Sequence, residues 1–155
     1  MAQHPLNAQV VFATITGNNE AVADIIIDQL KQAGLSVKKS EISQTEVEEL
    51  QQVDIAIIVP YTYDQGSLPD EGLDFFEDLA DVDLTGVVYG IAGSGDLYYG
   101  DTYCLALDSF EKQIQPTGAT QGAEIVRINL RPSAEDAVIL KLFTDQIIAQ
   151  AQALQ

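Results

Sequence analysis

The sequence predicts an α/β fold, a doubly wound parallel sheet of five strands, and three observations carry that prediction. Apolar runs of strand length alternate with segments of helical periodicity along all 155 residues. Several of those runs are apolar nearly throughout, as strands are when helices cover both faces of a parallel sheet. The alternation proceeds without a linker, an internal repeat or a low-complexity tract, so one domain over residues 1–155 is expected, with residues 1–7 as an N-terminal tail.

Each element has a local reason. Val10-Val11-Phe12-Ala13 reads as a buried strand. The segment from Ala21 to Ala33 follows, with Ala21, Val22, Ile25, Ile26 and Leu30 on one helical face and Gly34 as its C-cap. Leu35 to Lys38 alternates as an outer strand, and Ser43-x-x-Glu46 resembles a capping box opening a short helix through Val47 and Leu50. Val53 to Val59 is the third strand, ended by Pro60, and a Tyr/Asp/Gly loop leads to a helix around Leu73 to Leu79. Val87 to Ala92 is the fourth, followed by a long loop, Gly93 to Asp101, and a helix carrying Cys104, Leu107 and Ile114. Glu124 to Ile128 is the fifth, and Ser133 with Asp136 caps a last helix bearing Leu140, Phe143, Ile147 and Leu154.

Composition narrows the function. A net charge of −17 argues against nucleic acid or an anionic membrane surface as partner and favours basic proteins. Between Ser40 and Phe110 there is no Lys or Arg, and eight acids lie from Asp64 to Asp83. A one-signed field of this kind reads as a docking surface. The N-terminus has no charged region followed by an apolar one and the longest apolar runs are strand-sized, so the cytoplasm is expected. The lone Cys104 can form no internal disulfide, and it reads as a small buried residue rather than a redox thiol.

In open α/β sheets, ligands bind beyond the carboxyl ends of the strands. Residues 14–19, Thr14-Ile15-Thr16-Gly17-Asn18-Asn19, turn from the first strand into the first helix through hydroxyls, a glycine and two amides. Free backbone N–H groups and the positive end of a helix dipole make such a turn an anion site, and here neutral donors would hold a phosphate. Two further loops, residues 60–69 and 93–101, leave the third and fourth strands. Tyr61, Tyr63, Tyr98 and Tyr99 lie on them, which suggests a flat ring sandwiched between aromatics with its phosphate in the first loop. Tyr89 sits inside a strand and reads as core.

At this point the chain resembles the flavodoxins, specifically the short-chain ones of Gram-positive type. The matching pieces are Ala13-Thr14-Ile15-Thr16-Gly17-Asn18, Tyr61-Thr62-Tyr63 with Gly66 and Pro69, and Gly93-Ser94-Gly95-Asp96-x-x-Tyr99 followed by Tyr103-Cys104-x-Ala106. Three loops in the right order, each after the right strand, make the resemblance specific, and it covers essentially the whole chain.

The resemblance implies non-covalent FMN and low-potential, single-electron transfer between protein redox partners, with no reaction catalysed by the chain itself. The partners would be a basic-surfaced reductase as donor and an oxidoreductase as acceptor, and the carrier would be a monomer. Carried over by position, Thr14, Thr16, Asn18 and Asn19 side chains, with the amides of Ile15 and Gly17, would hold the phosphate. Tyr63 would pack on one ring face and Tyr99 on the other, with Tyr61, Thr62, Asp64 and Gly66 in the same loop as Tyr63. Amides near Ser94, Gly95, Asp96 and Cys104 would face the pyrimidine edge. The chain departs from the family at Asn19, where members usually have Thr, and at Asp64, where many have Gly.

Two other classes compete. A response-regulator receiver shares the topology, but it needs an acidic pair after the first strand and a phosphoacceptor Asp after the third, where Ala13-Thr14 and Pro60-Tyr61 stand. A flavodoxin-fold interaction module with weak or no FMN is the remaining alternative, and Asp64 is the residue that favours it.

Overall fold

The computed structural model describes residues 6–13, 18–60, 75–95, 105–129 and 132–154. Strand β1 (Asn7–Phe12) begins inside the stretch expected to be a tail, with Leu6 already buried. It is an interior strand, pairing in parallel with the edge strand β2 (Ser36–Glu41) on one side and β3 (Ile55–Val59) on the other. β4 (Val88–Gly95) pairs in parallel with β3, and β5 (Thr120–Gln121) completes the order β2-β1-β3-β4-β5. The predicted doubly wound parallel sheet is therefore present.

The fifth strand needs a correction. Where Glu124 to Ile128 was expected as one strand, two short ones stand on β4: β5 beside Val88 and Tyr89, and β6 (Val126–Asn129) beside Ala92 to Gly95. Gly122, just past β5, donates its N–H to Tyr89 O at 2.9 Å. A Cβ there would sit 2.7 Å from Val88 Cγ1 and 2.8 Å from Ile147 Cγ1, so the chain passes too close to its neighbours for any larger residue. Pairing with β6 also lengthens β4 three residues past its predicted end, which puts Ser94 and Gly95 on the strand.

Side chains alternate across the sheet because a strand has a period of two. Val10, Phe12, Ile57, Val59, Val88 and Ala92 face helices α1 (Asn18–Gln32) and α3 (Ala134–Ala153). Val11, Ala56, Ile58, Tyr89 and Ile91 face α2 (Leu105–Ile114), Phe75 and Leu79. α1 and α3 are tied by Gln29, which accepts from Thr144 Oγ1 at 2.9 Å and donates to Ala137 O at 3.1 Å. The predicted cap of α3 is present: Ser133 accepts from the Asp136 N–H while the Asp136 carboxylate accepts from the Ser133 N–H. Tyr89 is core, as expected, and among the described residues its hydroxyl finds no hydrogen-bond partner of ordinary geometry. Burial, then the nearby Glu111, push its pKa up against a smaller opposing pull from Gln115.

The capping box before the third strand is displaced. Ile42–Gln44 forms its own 3₁₀ turn, and Thr45 donates to Glu41 O and Ser40 Oγ, so the next turn cannot start at Ser43. Glu46 caps the 3₁₀ turn Val47–Gln52 instead, in a reciprocal box with Glu49. The helix expected around Leu73 to Leu79 is helical over 75–78 and continues as a 3₁₀ turn, Leu79–Asp81.

Glu49 also anchors the edge of the sheet. It accepts from Lys38 Nζ at 2.6 Å and from the amide of the buried Gln9 at 3.0 Å. Lys38 first, then the Glu46 N–H and Gln9, lower its pKa from 4.5 to about 2. A depressed carboxylate contributes stability above its unfolded pKa, and that contribution is lost as pH falls from about 4.5 towards 2. We expect Glu49→Gln to melt below the parent at neutral pH and the gap to close across that acid window. Melting curves at intervals from pH 6 to about 2 check it. A gap independent of pH would remove the charge from the account. The gap is small, because Lys38 is 62% exposed and the pair is screened.

Candidate functional site

β1 and β3 end side by side, and β4 packs on the carbonyl of Pro60 two residues before its own end. β1 runs on to Ala13, whose N–H donates to Val59 O at 3.0 Å, and so holds the ends of the two strands level. Asn19, in the first turn of α1, reaches back beneath them. Its Nδ2 donates to Ala13 O and Pro60 O at 2.6 Å each, and lies 3.3 Å from Val59 O. From the other side β4 brings Gly93, where a Cβ would sit 2.8 Å from Pro60 O and 3.0 Å from Leu107 Cδ1. Only a residue without a side chain lets β4 and α2 close on the end of β3 in this way.

The first two candidate loops leave the sheet here, and the third follows β4, which ends at Gly95. Residues 14–17 separate Ala13 from Asn18, the first residue of α1, so the first loop opens directly into the amino end of a 15-residue helix. The donor chemistry suits a phosphate: two threonine hydroxyls, an asparagine amide and successive backbone N–H groups, with no cation in the loop.

A carboxylate near a helix start would oppose an anion there, and Glu20 is in the first turn of α1. Lys39, reaching over from β2, answers it. Its ammonium lies 2.7 Å from Glu20 and 2.9 Å from Asp24, and 5.2 Å from the centroid of the Phe12 ring. The bond to Glu20, then that to Asp24, raise the Lys39 pKa. Nothing in the spacing of an outer-strand lysine announces this role; it follows from the register that sets Phe12 beside Glu41 and Val10 beside Lys39.

Of the residues predicted to form the site, the structure describes four. Asn18 opens α1, and Ser94 and Gly95 end β4 rather than lying in the loop after it. The Asn19 side chain, expected to hold phosphate, is fully buried, and its amide donates to the carbonyls of the strand ends. Thr14, Ile15, Thr16, Gly17, Tyr61, Thr62, Tyr63, Asp64, Gly66, Asp96, Tyr99 and Cys104 lie outside the described residues.

The surface charge divides by sign. Among the described residues, Lys38, Lys39, Arg127 and Lys141 all pair with carboxylates, Arg127 with Asp108. Glu77, Asp78, Asp81 and Asp83 are exposed, and none forms an ion pair with a described residue. No cluster among the described residues could hold a metal ion, and no described helix is long and apolar enough to cross a membrane.

Comparison with known proteins agrees with this arrangement. A model of the flavodoxin family matches residues 10–139. Probable flavodoxin 1 of Bacillus subtilis is 34% identical over 131 residues, which span 84% of this chain and 82% of that protein. A short-chain flavodoxin associated with a non-canonical PDU bacterial microcompartment superposes with a TM-score of 0.92 at 48% identity, over 94% of this chain and 99% of that one. A flavodoxin of Streptococcus pneumonia TIGR4 does so with a TM-score of 0.89 at 43% identity, over 93% and 99%.

Proposed function

The chain belongs to the flavodoxin family, FMN-binding electron carriers that are not themselves enzymes, and from that premise we propose how its own residues hold the flavin and meet partners. Thr14, Thr16 and Asn18, with the amides of residues 14–19, hold the phosphate at the amino end of α1. Tyr63 and Tyr99 enclose the ring, with Tyr61, Thr62, Asp64 and Gly66 beside the first of them. Ser94, Gly95, Asp96 and Cys104 contribute backbone groups at the pyrimidine edge. When bound, FMN supplies one-electron redox chemistry, and the chain sets its potential through stacking, hydrogen bonds and negative field. The observation that carries this reading is the tie of Ala13 to Pro60 through Asn19, which starts the first two loops from one place, with β4 packed on Pro60 at Gly93, two residues before that strand ends.

The test is direct. The purified protein is expected to be yellow, to release FMN on acid precipitation, and to rebind it with one flavin per chain. A colourless protein that does not take up added FMN would favour the interaction-module alternative.

The carrier works in the cytoplasm as a monomer and meets basic-surfaced redox proteins, a reductase as donor and an oxidoreductase as acceptor. Support comes from the net charge of −17 and from the exposed Glu77, Asp78 and Asp81, which pair with no described cation. Attraction between unlike surfaces is screened beyond a Debye length of roughly 8 Å at physiological salt. Electron transfer from a basic reductase is therefore expected to slow as salt rises, and neutralising Glu77, Asp78 and Asp81 together should flatten that dependence. Stopped-flow rates across a salt series measure it, and a wild-type rate indifferent to salt would assign the charge to solubility alone.

A further inference from the structure

We infer that Asn19 is a positioning residue that locks the phosphate-side loop to the ring-side loop, so that the chain grips the flavin ring, and not only its phosphate, through this one amide. The inference rests on the flavodoxin reading of those loops.

Asn19 is one of the few polar residues with no exposed surface. A buried amide is costly unless its hydrogens are used, and here both are. The two short bonds, 2.6 Å to Ala13 O and 2.6 Å to Pro60 O, run to the last described residue before loop 14–17 and the last before loop 61–74. Gly93 packs against the same Pro60 carbonyl, so β4, which ends two residues later, is referred to the same point. One side chain on α1 thus ties the start of the loop that takes the phosphate to the start of the loop that carries Tyr63.

A threonine at this position could not do the same. A hydroxyl has one hydrogen and serves one carbonyl, whereas the amide serves two on different strands. Committed in this way, the Asn19 side chain is not a phosphate donor. Its loss should be felt by any flavin that uses the ring-side loop, with or without a phosphate.

Affinities of the apoprotein for FMN and for riboflavin, in wild type, Asn19→Thr and Asn19→Ala, decide the matter. Freeing two buried carbonyls should weaken both flavins by about tenfold in Asn19→Ala. Asn19→Thr should also weaken riboflavin, and the visible spectrum of bound FMN should shift in both variants. A loss confined to FMN in Asn19→Ala and repaired in Asn19→Thr would make Asn19 a phosphate donor and overturn the proposal. Unchanged affinities and spectra in variants that merely melt earlier would overturn it too, leaving a structural bond only.

The unaltered protein provides a second measurement that needs no variant to fold. By NMR, the Asn19 side-chain amide protons should be protected from exchange in the apoprotein and remain so with FMN. Protection that appears only with FMN overturns the clamp. A wild-type protein that binds neither flavin would instead overturn the carrier reading, while the protection measurement would still report whether the strand ends are clamped.

Discussion

Thr16→Ala weakens FMN binding by roughly tenfold or more and leaves riboflavin binding nearly unchanged. The expectation follows from charge. A hydroxyl donating to a doubly charged phosphate makes a charge-assisted bond, worth on the order of 1.5–3 kcal/mol, or about a factor of ten to a hundred in affinity. The loop contains no Lys or Arg to take over the load. Riboflavin has no phosphate, so removing a phosphate donor costs it nothing. Fluorescence titration of the apoprotein with each flavin makes the comparison. Equal losses for the two would move Thr16 out of the phosphate site. The contrast with Asn19 is sharp: the same pair of ligands should separate a donor, which affects one flavin, from a clamp, which affects both.

Gly90→Ala lowers stability by about 3 kcal/mol, the upper range for forcing a methyl into a filled core, and drops the melting temperature by roughly 6–12 °C. The position lies between Val88 and Ala92 on the face of β4 covered by α3. A Cβ there would fall into Ile147 Cδ1 and lie 2.8 Å from Phe143 Cζ. Neither atom can retreat easily, since both residues are almost completely buried. Gly34→Ala is the control. Gly34 has φ +93° but nothing within 4 Å of where a Cβ would stand, so its substitution carries only the backbone cost, on the order of 1–2 kcal/mol. Thermal melts of the two variants compare steric crowding with backbone strain. If Gly34→Ala proves the more damaging, α3 is not pressed tightly onto β4.

The sequence by itself determined the elements that depend on short-range pattern. The apolar runs at Val10–Ala13 and Ile55–Val59 read as strands buried on both faces, and the spacing of Val22, Ile26 and Leu30 as a helix laid against them. The Ser133 and Asp136 cap was legible because its partners lie three residues apart. The three loop motifs, placed after the right strands, carried the family and its cofactor without any knowledge of distance.

What the tertiary structure alone decided involves residues far apart in the chain. Ser43 and Glu46 had the spacing of a capping box, yet bonds from Thr45 to Ser40 and Glu41 moved the start of the turn to Glu46. The fifth strand is divided after Gln121, where Gly122 lies against Val88 and Ile147, a contact between positions with no local relation. Lys39 guards the helix start only through the parallel register of β2 on β1. From its neighbours in sequence, Asn19 read as one more neutral donor in a phosphate loop. Its amide turned inward because Val59 and Pro60, some forty residues on, place carbonyls in a space closed to water, and a buried acceptor binds the donor that can reach it.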